Sequence, residues 1–287
     1  MKNIVISNPL KLEKIKKEFK KGGAEKIHIL SDFERTLTYA FIGGKKVPSL
    51  ISVLRSGNDY LGKEYAEKAQ QLFEKYHPFE VNPKIPIKEK KKAMKEWWEK
   101  HFKLLIRMGL SKRHLKMVVD SGKVKLRKGA KEFFKLLKKN KIPLVVMSAS
   151  GLGNEAISMF FKKEKVFSPN IFIISNEFLW DKNGKVIGIK KPIVHSLNKD
   201  ETVIRSFPSI FKRVRERKNV LLLGDNLEDV RMIKGFDYNF LIKIGFLNEN
   251  VKENLRYYKK TYDCLILNDF SFSFVNSLLK EILARKK

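Results

Sequence analysis

The sequence predicts an open α/β fold, a parallel sheet with a helical cap inserted into it, on three observations. Apolar runs of strand length recur along the chain, helical patterns separate them, and one interval between runs is far too long for a crossover. At 287 residues the chain is long enough to bury a full core, either as one large domain or as a domain carrying a smaller inserted one.

The first run, "IHIL", spans 27–30 and ends at Ser31 and Asp32. The next are "PLVVMSA" at 143–149, "IFIIS" at 171–175, "VLLLGD" at 220–225, "FLIKIGF" at 240–246 and "CLIL" at 264–267. Between them, "GAKEFFKLLKKNK" from Gly129 and "NEAISMFFKKE" from Asn154 carry helical periodicity, which gives the βαβ alternation of a parallel sheet. About 110 residues separate Phe33 from Pro143, whereas a crossover needs about a dozen. Within that interval, residues 59–77 and 87–120 read as helices, with Trp97, His101, Leu104, Leu105 and Met108 at helical spacing. The cap is therefore assigned to residues 49–122 and the core to residues 1–48 and 123–287, joined by hinges near 46–50 and 121–126.

Composition narrows the setting. One cysteine, Cys264, excludes an internal disulfide framework, and no Cys/His cluster has zinc-ligand spacing, which points to a reducing, cytoplasmic environment. Charge interrupts "MKNIVISNPLKLEKIKKEFK" too often for a secretory core, and no apolar stretch reaches membrane-spanning length. With 61 Lys+Arg against 31 Asp+Glu, the formal net charge of +30 favours anionic partners. The lysines run along the whole chain, however. The densest basic segment, "KIPIKEKKKAMK" at 84–95, has no Gly-aromatic RNA signature and no DNA-binding motif, so nucleic acid is not the predicted partner. A phosphorylated small molecule suits the same field.

In open parallel sheets ligands bind outside the carboxyl ends of the strands, so polar residues that directly follow apolar runs are the candidates. Asp32 ends the first run, Ser148 the second and Asp225 the fourth, with Asp229 four residues later. Converging aspartates offer the hard oxygen donors that magnesium takes, and a serine hydroxyl can donate to a phosphate oxygen. Lys199, in "SLNKDE" between the third and fourth runs, reads as a helix-start lysine placed to meet a phosphoryl group. Each residue alone also fits a plainer role, as a helix cap, a turn residue or a surface lysine. Their joint order, each at a strand end or helix start, is what singles them out.

The segments "SDFERTLT", "SAS", "NK" and "GDNLED" resemble the four motifs of the haloacid dehalogenase-like phosphohydrolases. Within that superfamily the chain is most similar to the cytosolic pyrimidine 5′-nucleotidases, from "IHILSDF" through "MKEWW" to "LLLGDNLEDVRM" and "IKIGFLNENV". The resemblance implies a Rossmann-like core with an inserted helical cap, and a magnesium-dependent 5′-nucleotidase that hydrolyses pyrimidine nucleoside 5′-monophosphates. By the same resemblance Asp32 is the nucleophile that forms an aspartyl-phosphate, and Ser148 and Lys199 hold the phosphoryl oxygens. Magnesium would be held by Asp32, Asp225 and the backbone carbonyl of Glu34, with Asp229 steadying the metal's waters or Lys199 from behind.

The family pattern has aspartate two residues after the nucleophile, as general acid and base; this chain has Glu34, one methylene longer. Either the loop adjusts so that Glu34 serves, or the site is weak or silent and the protein binds rather than cleaves. A phosphatase of other small phosphate esters is a further alternative. In the cap, "MKEWWEKHF" places Glu96 at the family's nucleoside-reading glutamate, although Glu96 and Lys100 also fit an ordinary i,i+4 surface pair. Trp97 and Trp98 read equally as a base platform or as a buried helix face.

Overall fold

The computed structural model describes residues 3–82, 84–199 and 206–284. Its strands are β1 (Ile4–Ile6), β2 (Ile27–Ser31), β3 (Phe41–Ile42), β4 (Lys45–Lys46), β5 (Leu144–Met147), β6 (Ile171–Ile174), β7 (Phe178–Trp180), β8 (Val186–Ile189), β9 (Asn219–Gly224), β10 (Phe240–Leu247) and β11 (Cys264–Leu267). Seven of them form one sheet in the order β1-β11-β10-β9-β2-β5-β6. All six predicted runs are strands of this sheet and all pair in parallel; β1, three residues at the edge, runs antiparallel to β11 with Ile4 opposite Ile266.

The apolar runs are continuous because both faces of the sheet are covered. Alternate side chains serve opposite layers. Ile29, Val146, Leu223 and Ile244 point into one, with Phe19 of α1 (Pro9–Gly22). Leu30, Val145, Leu222 and Leu265 point into the other.

Four helices lie between β4 and the point where Leu126 bridges back to Thr38: α2 (Leu50–Arg55), α3 (Asn58–Val81), α4 (Ile87–Arg107) and α5 (Lys112–Asp120). The remaining helices among the described residues are α6 (Ala130–Lys139), α7 (Gly153–Lys163), α8 (Pro208–Val214), α9 (Val251–Thr261) and α10 (Ser273–Leu283). Phe133 of α6, Phe160 of α7 and Leu279 of α10 share the layer of α1, whereas Val214 of α8 and Leu255 of α9 share the other.

Helices α2 to α5 pack on one another, and Val53, Tyr65, Phe102 and Leu115 join the same apolar layer as the core beneath. The stretch predicted as helix over 87–120 is two helices, because Gly109 takes φ 70° and Ser111 and His114 cap a new start for α5. Helix α3 bends at Gly62, where φ 81° and ψ 169° leave helical geometry. Two small hairpins, β3–β4 and β7–β8, are additions that the apolar pattern does not announce. The second hairpin meets the turn between α4 and α5, where Lys112 N donates to Gly184 O at 3.0 Å and Val186 N to Leu110 O at 2.8 Å.

Candidate active site

The chain order reverses between β2 and β9: from β2 it steps outward to β5 and β6, and from β9 to β10 and β11. The carboxyl ends of the strands flanking such a reversal open a crevice. Asp32 follows β2 and Asp225 follows β9, with Ser31 level with Leu223, while Ser148 follows β5 on the other side. Asp32 is pinned there by its own N–H, which donates to Leu223 O at 2.9 Å, and Ser148 N donates to Ile174 O at 3.0 Å.

Lys199 reaches this edge from a turn between β8 and α8. Its Nζ donates to Asp32 Oδ1 and, at 3.0 Å, to Asp229 Oδ1. The residues that would make it the start of a helix, 200–205, lie outside the described residues. Asp229 is a capping residue of the short 3-10 helix Leu227–Ile233, and its Oδ2 accepts from the N–H groups of Asp225 (3.1 Å) and Asn226 (2.9 Å). Both of its oxygens are thus committed to holding Lys199 and the start of the Asp225 turn. Asp32, Ser148, Lys199 and Asp229 are buried and Asp225 is half-buried.

Electrostatics follow from this crowding. Burial, together with the charges of Asp229 and Glu34, pushes the Asp32 carboxyl up to about 7 against the pull of Lys199. Burial works to lower the Lys199 ammonium, but Asp229 and Asp32 outweigh it and hold it above the ordinary lysine range. The Asp225 carboxyl is raised well above its usual range by burial and by the charges of Asp229 and Asp32. Ligand oxygens of Asp32, Asp225 and Asp229 lie within 4.8 Å of one another. Among the described residues, Lys199 is bonded to Asp32 and Asp229 while Asp225 receives a Thr36 hydroxyl at 3.4 Å, so Asp32 and Asp225, with Asp229 behind them, offer hard oxygen donors that fit a divalent cation.

Glu34 is half-buried beside Asp32, and its Oε1 accepts from Leu50 N, the first residue of α2, at 3.0 Å. Burial raises its carboxyl, while the Leu50 N–H and the Arg35 charge work to lower it. Glu96 shares no hydrogen bond or ion pair with this cluster. It stands exposed on α4, where its Oε1 accepts from Tyr76 Oη (2.8 Å) and Lys100 Nζ (2.6 Å), bonds that hold its carboxyl below the usual range. Trp97 is buried, stacked on Tyr76 at 6.2 Å, and serves the α3–α4 interface. Trp98 lies directly over Gly151, in the loop that follows Ser148: a methyl group built there would come within 2.7 Å of its ring and 2.9 Å of Ile51.

The structure adds residues that the strand-end search passes over. Asn176, just past β6, donates from Nδ2 to Ser150 O (3.1 Å) and Val194 O (2.9 Å) and accepts from Val194 N, tying the Ser148 loop to the Lys199 loop. Glu80 of α3 accepts from Ser196 Oγ at 2.5 Å, and Leu197 packs with Met94 and Trp97, so the cap helices rest on the segment that carries Lys199. Asn176 follows an apolar run as Asp32 does, which is a usable signal. Glu80 has none.

The profile of the pyrimidine 5′-nucleotidase (UMPH-1) family matches residues 35–283. The 7-methylguanosine phosphate-specific 5′-nucleotidase of Rattus norvegicus is 33% identical over 281 residues, 98% of this chain and 92% of the relative. Among solved structures, cytosolic 5′-nucleotidase IIIB bound to cytidine superposes with a TM-score of 0.90 at 28% identity, over 98% of this chain and 94% of that one. An HAD-family hydrolase from Salmonella enterica serovar Typhi shares the fold alone, with a TM-score of 0.55 at 14% identity over 98% of this chain and 82% of that one. With strand order, strand-end residues and near full-length similarity in agreement, this chain belongs to the pyrimidine 5′-nucleotidase (UMPH-1) family of HAD-fold phosphoric monoester hydrolases.

Proposed function

We propose that the protein is a magnesium-dependent nucleoside 5′-monophosphatase that works through an aspartyl-phosphate on Asp32. One observation carries the reading: Asp32, Lys199, Asp225 and Asp229 converge at the strand reversal, with Ser148 at the end of the neighbouring strand. Asp32 attacks phosphorus, the bond to the ribose 5′-oxygen breaks, and protonated Glu34 gives its proton to the departing alkoxide. Glu34 then takes a proton from water, the water oxygen attacks the acyl phosphate, and phosphate leaves with Asp32 restored. Burial, which raises the Glu34 carboxyl, works in the direction a general acid needs. Ser148 and Lys199 hold the non-bridging oxygens. Asp32, Asp225 and the carbonyl of Glu34 would hold magnesium, which supplies the positive charge that lets two anions meet.

Residues 49–122 act as the cap that reads the nucleoside. Glu96 is ionised, and both of its bonds use Oε1, which leaves Oε2 to accept from an exocyclic amine such as those of cytosine and 7-methylguanine. Nothing in this chemistry calls for a membrane or a nucleic acid, and no helix among the described residues is long and apolar enough to cross a membrane. A cytoplasmic setting with free nucleotides as substrate agrees with that. The alternative of a weak or silent, ligand-binding site keeps one observation in its favour: the Glu34 carboxylate is engaged by Leu50 N.

Phosphate release from CMP, UMP, 7-methylguanosine monophosphate and a non-nucleotide ester, with magnesium and with chelator, decides between them. The expected result is chelator-sensitive release from the nucleotides, with CMP ahead of UMP, and complete loss of activity in Asp32→Asn. Release from the non-nucleotide ester at equal rate would transfer the assignment to general phosphate esters. No release from any of them would leave a binding protein.

A further inference from the structure

Arg127 lies where the chain returns from α5 to the core, and its side chain is almost wholly buried. Its guanidinium points at the stretch that follows the nucleophile. Nε donates to Thr36 O at 3.0 Å, and Nη2 donates to Arg35 O, to Thr38 O at 3.3 Å and to Asn248 Oδ1 at 3.1 Å. Nη1 donates to Phe270 O at 3.0 Å and pairs with Asp269 Oδ1 at 2.6 Å, and the guanidinium plane covers the Phe246 ring at 4.6 Å. Asp269 in turn accepts from Ala40 N at 3.0 Å and Phe41 N at 2.9 Å. One buried ion pair therefore takes up three carbonyls and two N–H groups between residues 35 and 41. Asn248 completes it by donating from Nδ2 to Arg35 O at 3.0 Å.

The held segment is unusual backbone. Arg35 sits at φ 59°, a left-handed conformation disfavoured for a residue with a Cβ, and its carbonyl is turned inward to meet the guanidinium. Such a conformation persists only where its surroundings over-determine it. Arg35 is the immediate neighbour of Glu34, so the turn that sets the direction of the Glu34 side chain is the turn Arg127 grips. A lysine has a single nitrogen and cannot span these carbonyls; the planar fork can.

We propose that the Arg127–Asp269 pair is a positioning device for the reaction, fixing residues 35–41 so that the longer Glu34 side chain delivers its carboxyl to the phosphoryl site. The proposal rests on the reading of Glu34 as acid and base. Arg127 touches no reacting atom; it acts through backbone geometry. Loss of the fork releases the segment and spreads Glu34 over positions of which few are productive. A misplacement of about 1 Å is expected to lower turnover on the order of a hundredfold. Substrate affinity is left largely in place, since Ser148, Lys199 and the cap are untouched.

The test uses the full chain as Arg127→Lys and Asp269→Asn, with Leu279→Ala, in the apolar layer beneath α10, as a control for lost stability. Steady-state kinetics on CMP are read beside hydrogen exchange by mass spectrometry. The proposal predicts that kcat falls at least about tenfold in Arg127→Lys, with KM within about threefold of the parent. It also predicts that exchange accelerates in peptides covering 33–41 but not in β2 or β9. Asp269→Asn should follow in the same direction and serves if Arg127→Lys does not fold. An unchanged kcat overturns the proposal. So does an equal kcat loss in Leu279→Ala at matched thermal stability, or exchange that rises across the sheet as much as in 33–41; either makes Arg127 a stabilising residue only. If the parent releases no phosphate from any nucleotide, the nucleotidase reading fails, and with it the catalytic role; exchange confined to 33–41 then still upholds the clamp, and its absence removes that as well.

Discussion

Glu34 is one methylene longer than an aspartate would be, and its carboxylate accepts from Leu50 N. An amide in its place keeps that acceptor but cannot move a proton. Glu34→Gln is therefore expected to lower kcat by about 10²–10⁴-fold while magnesium affinity, measured by calorimetry, stays near that of the parent. Comparable turnover in the two would remove Glu34 from the chemistry. A second prediction at this scale concerns two buried histidines. Burial pushes His28 from 6.5 to about 4 and His101 from 6.5 to about 3. Both are neutral in the folded chain, so the unfolded chain binds more protons at acid pH. Their contribution is fully present above about pH 6.5 and is lost as the pH falls toward 4 and then 3. For His28 the loss amounts to about 3 kcal/mol. Urea melts at pH 7 and pH 5 should show a smaller acid penalty in His28→Asn than in the parent; equal penalties would mean that His28 does not titrate on unfolding. Single residues differed greatly in how far the sequence exposed them. Asp32, Ser148 and Asp225 are legible because each ends an apolar run, whereas Arg127 is one cation in a chain with 61 lysines and arginines. Its partners lie across the fold, at 35, 248 and 269, and no local pattern encodes such distances.

Among the elements, the longer apolar strands of the sheet were readable, the edge strand β6 included, and the shortest strands were not. A strand buried on both faces must be apolar throughout, so "VLLLG" declares itself; β1 has an edge position and three residues, and β3 and β4 have two each. The break between α4 and α5 escapes a periodicity argument because Gly109 stops a helix by conformation, not by polarity. The seam between cap and core was invisible for the same reason as Arg127: Trp98 of α4 meets Gly151 only in three dimensions. That seam leaves no space for a side chain. Gly151→Ala should push Trp98 and Ile51 away from the phosphate loop at a cost of about 1–3 kcal/mol, read as a roughly 5- to 150-fold drop in kcat/KM. Unaltered kinetics would show that the cap does not need this contact. Asn176→Ala probes the facing side, since it releases Ser150 from Val194. Its expected signature is a KM raised several-fold, from a looser grip on phosphate by Ser148 and Lys199.

At the level of the whole molecule the net charge of +30 surrounds a site proposed to take a phosphate dianion. Such a field raises the rate of encounter and is screened over about 8–10 Å at ordinary ionic strength. Raising salt from about 10 mM to 150 mM is expected to lower kcat/KM for a nucleotide several-fold, with much less effect on binding of the uncharged nucleoside. Identical salt responses would assign the charge to solubility alone. The architecture itself was predictable because apolar runs alternate with helical patterns and one interval is too long for a crossover, but the strand order and the antiparallel edge were not.

The bridge between Thr38 and Leu126 has a consequence beyond this protein's own chemistry. The chain departs for its helical excursion and comes back beside the point of departure, through a single doorway in the core. Whatever is threaded between those two residues can be lengthened, shortened or replaced without moving a strand of the seven-stranded sheet. Descent can thus rewrite the proposed reader of the nucleoside while the proposed phosphate site is inherited unaltered.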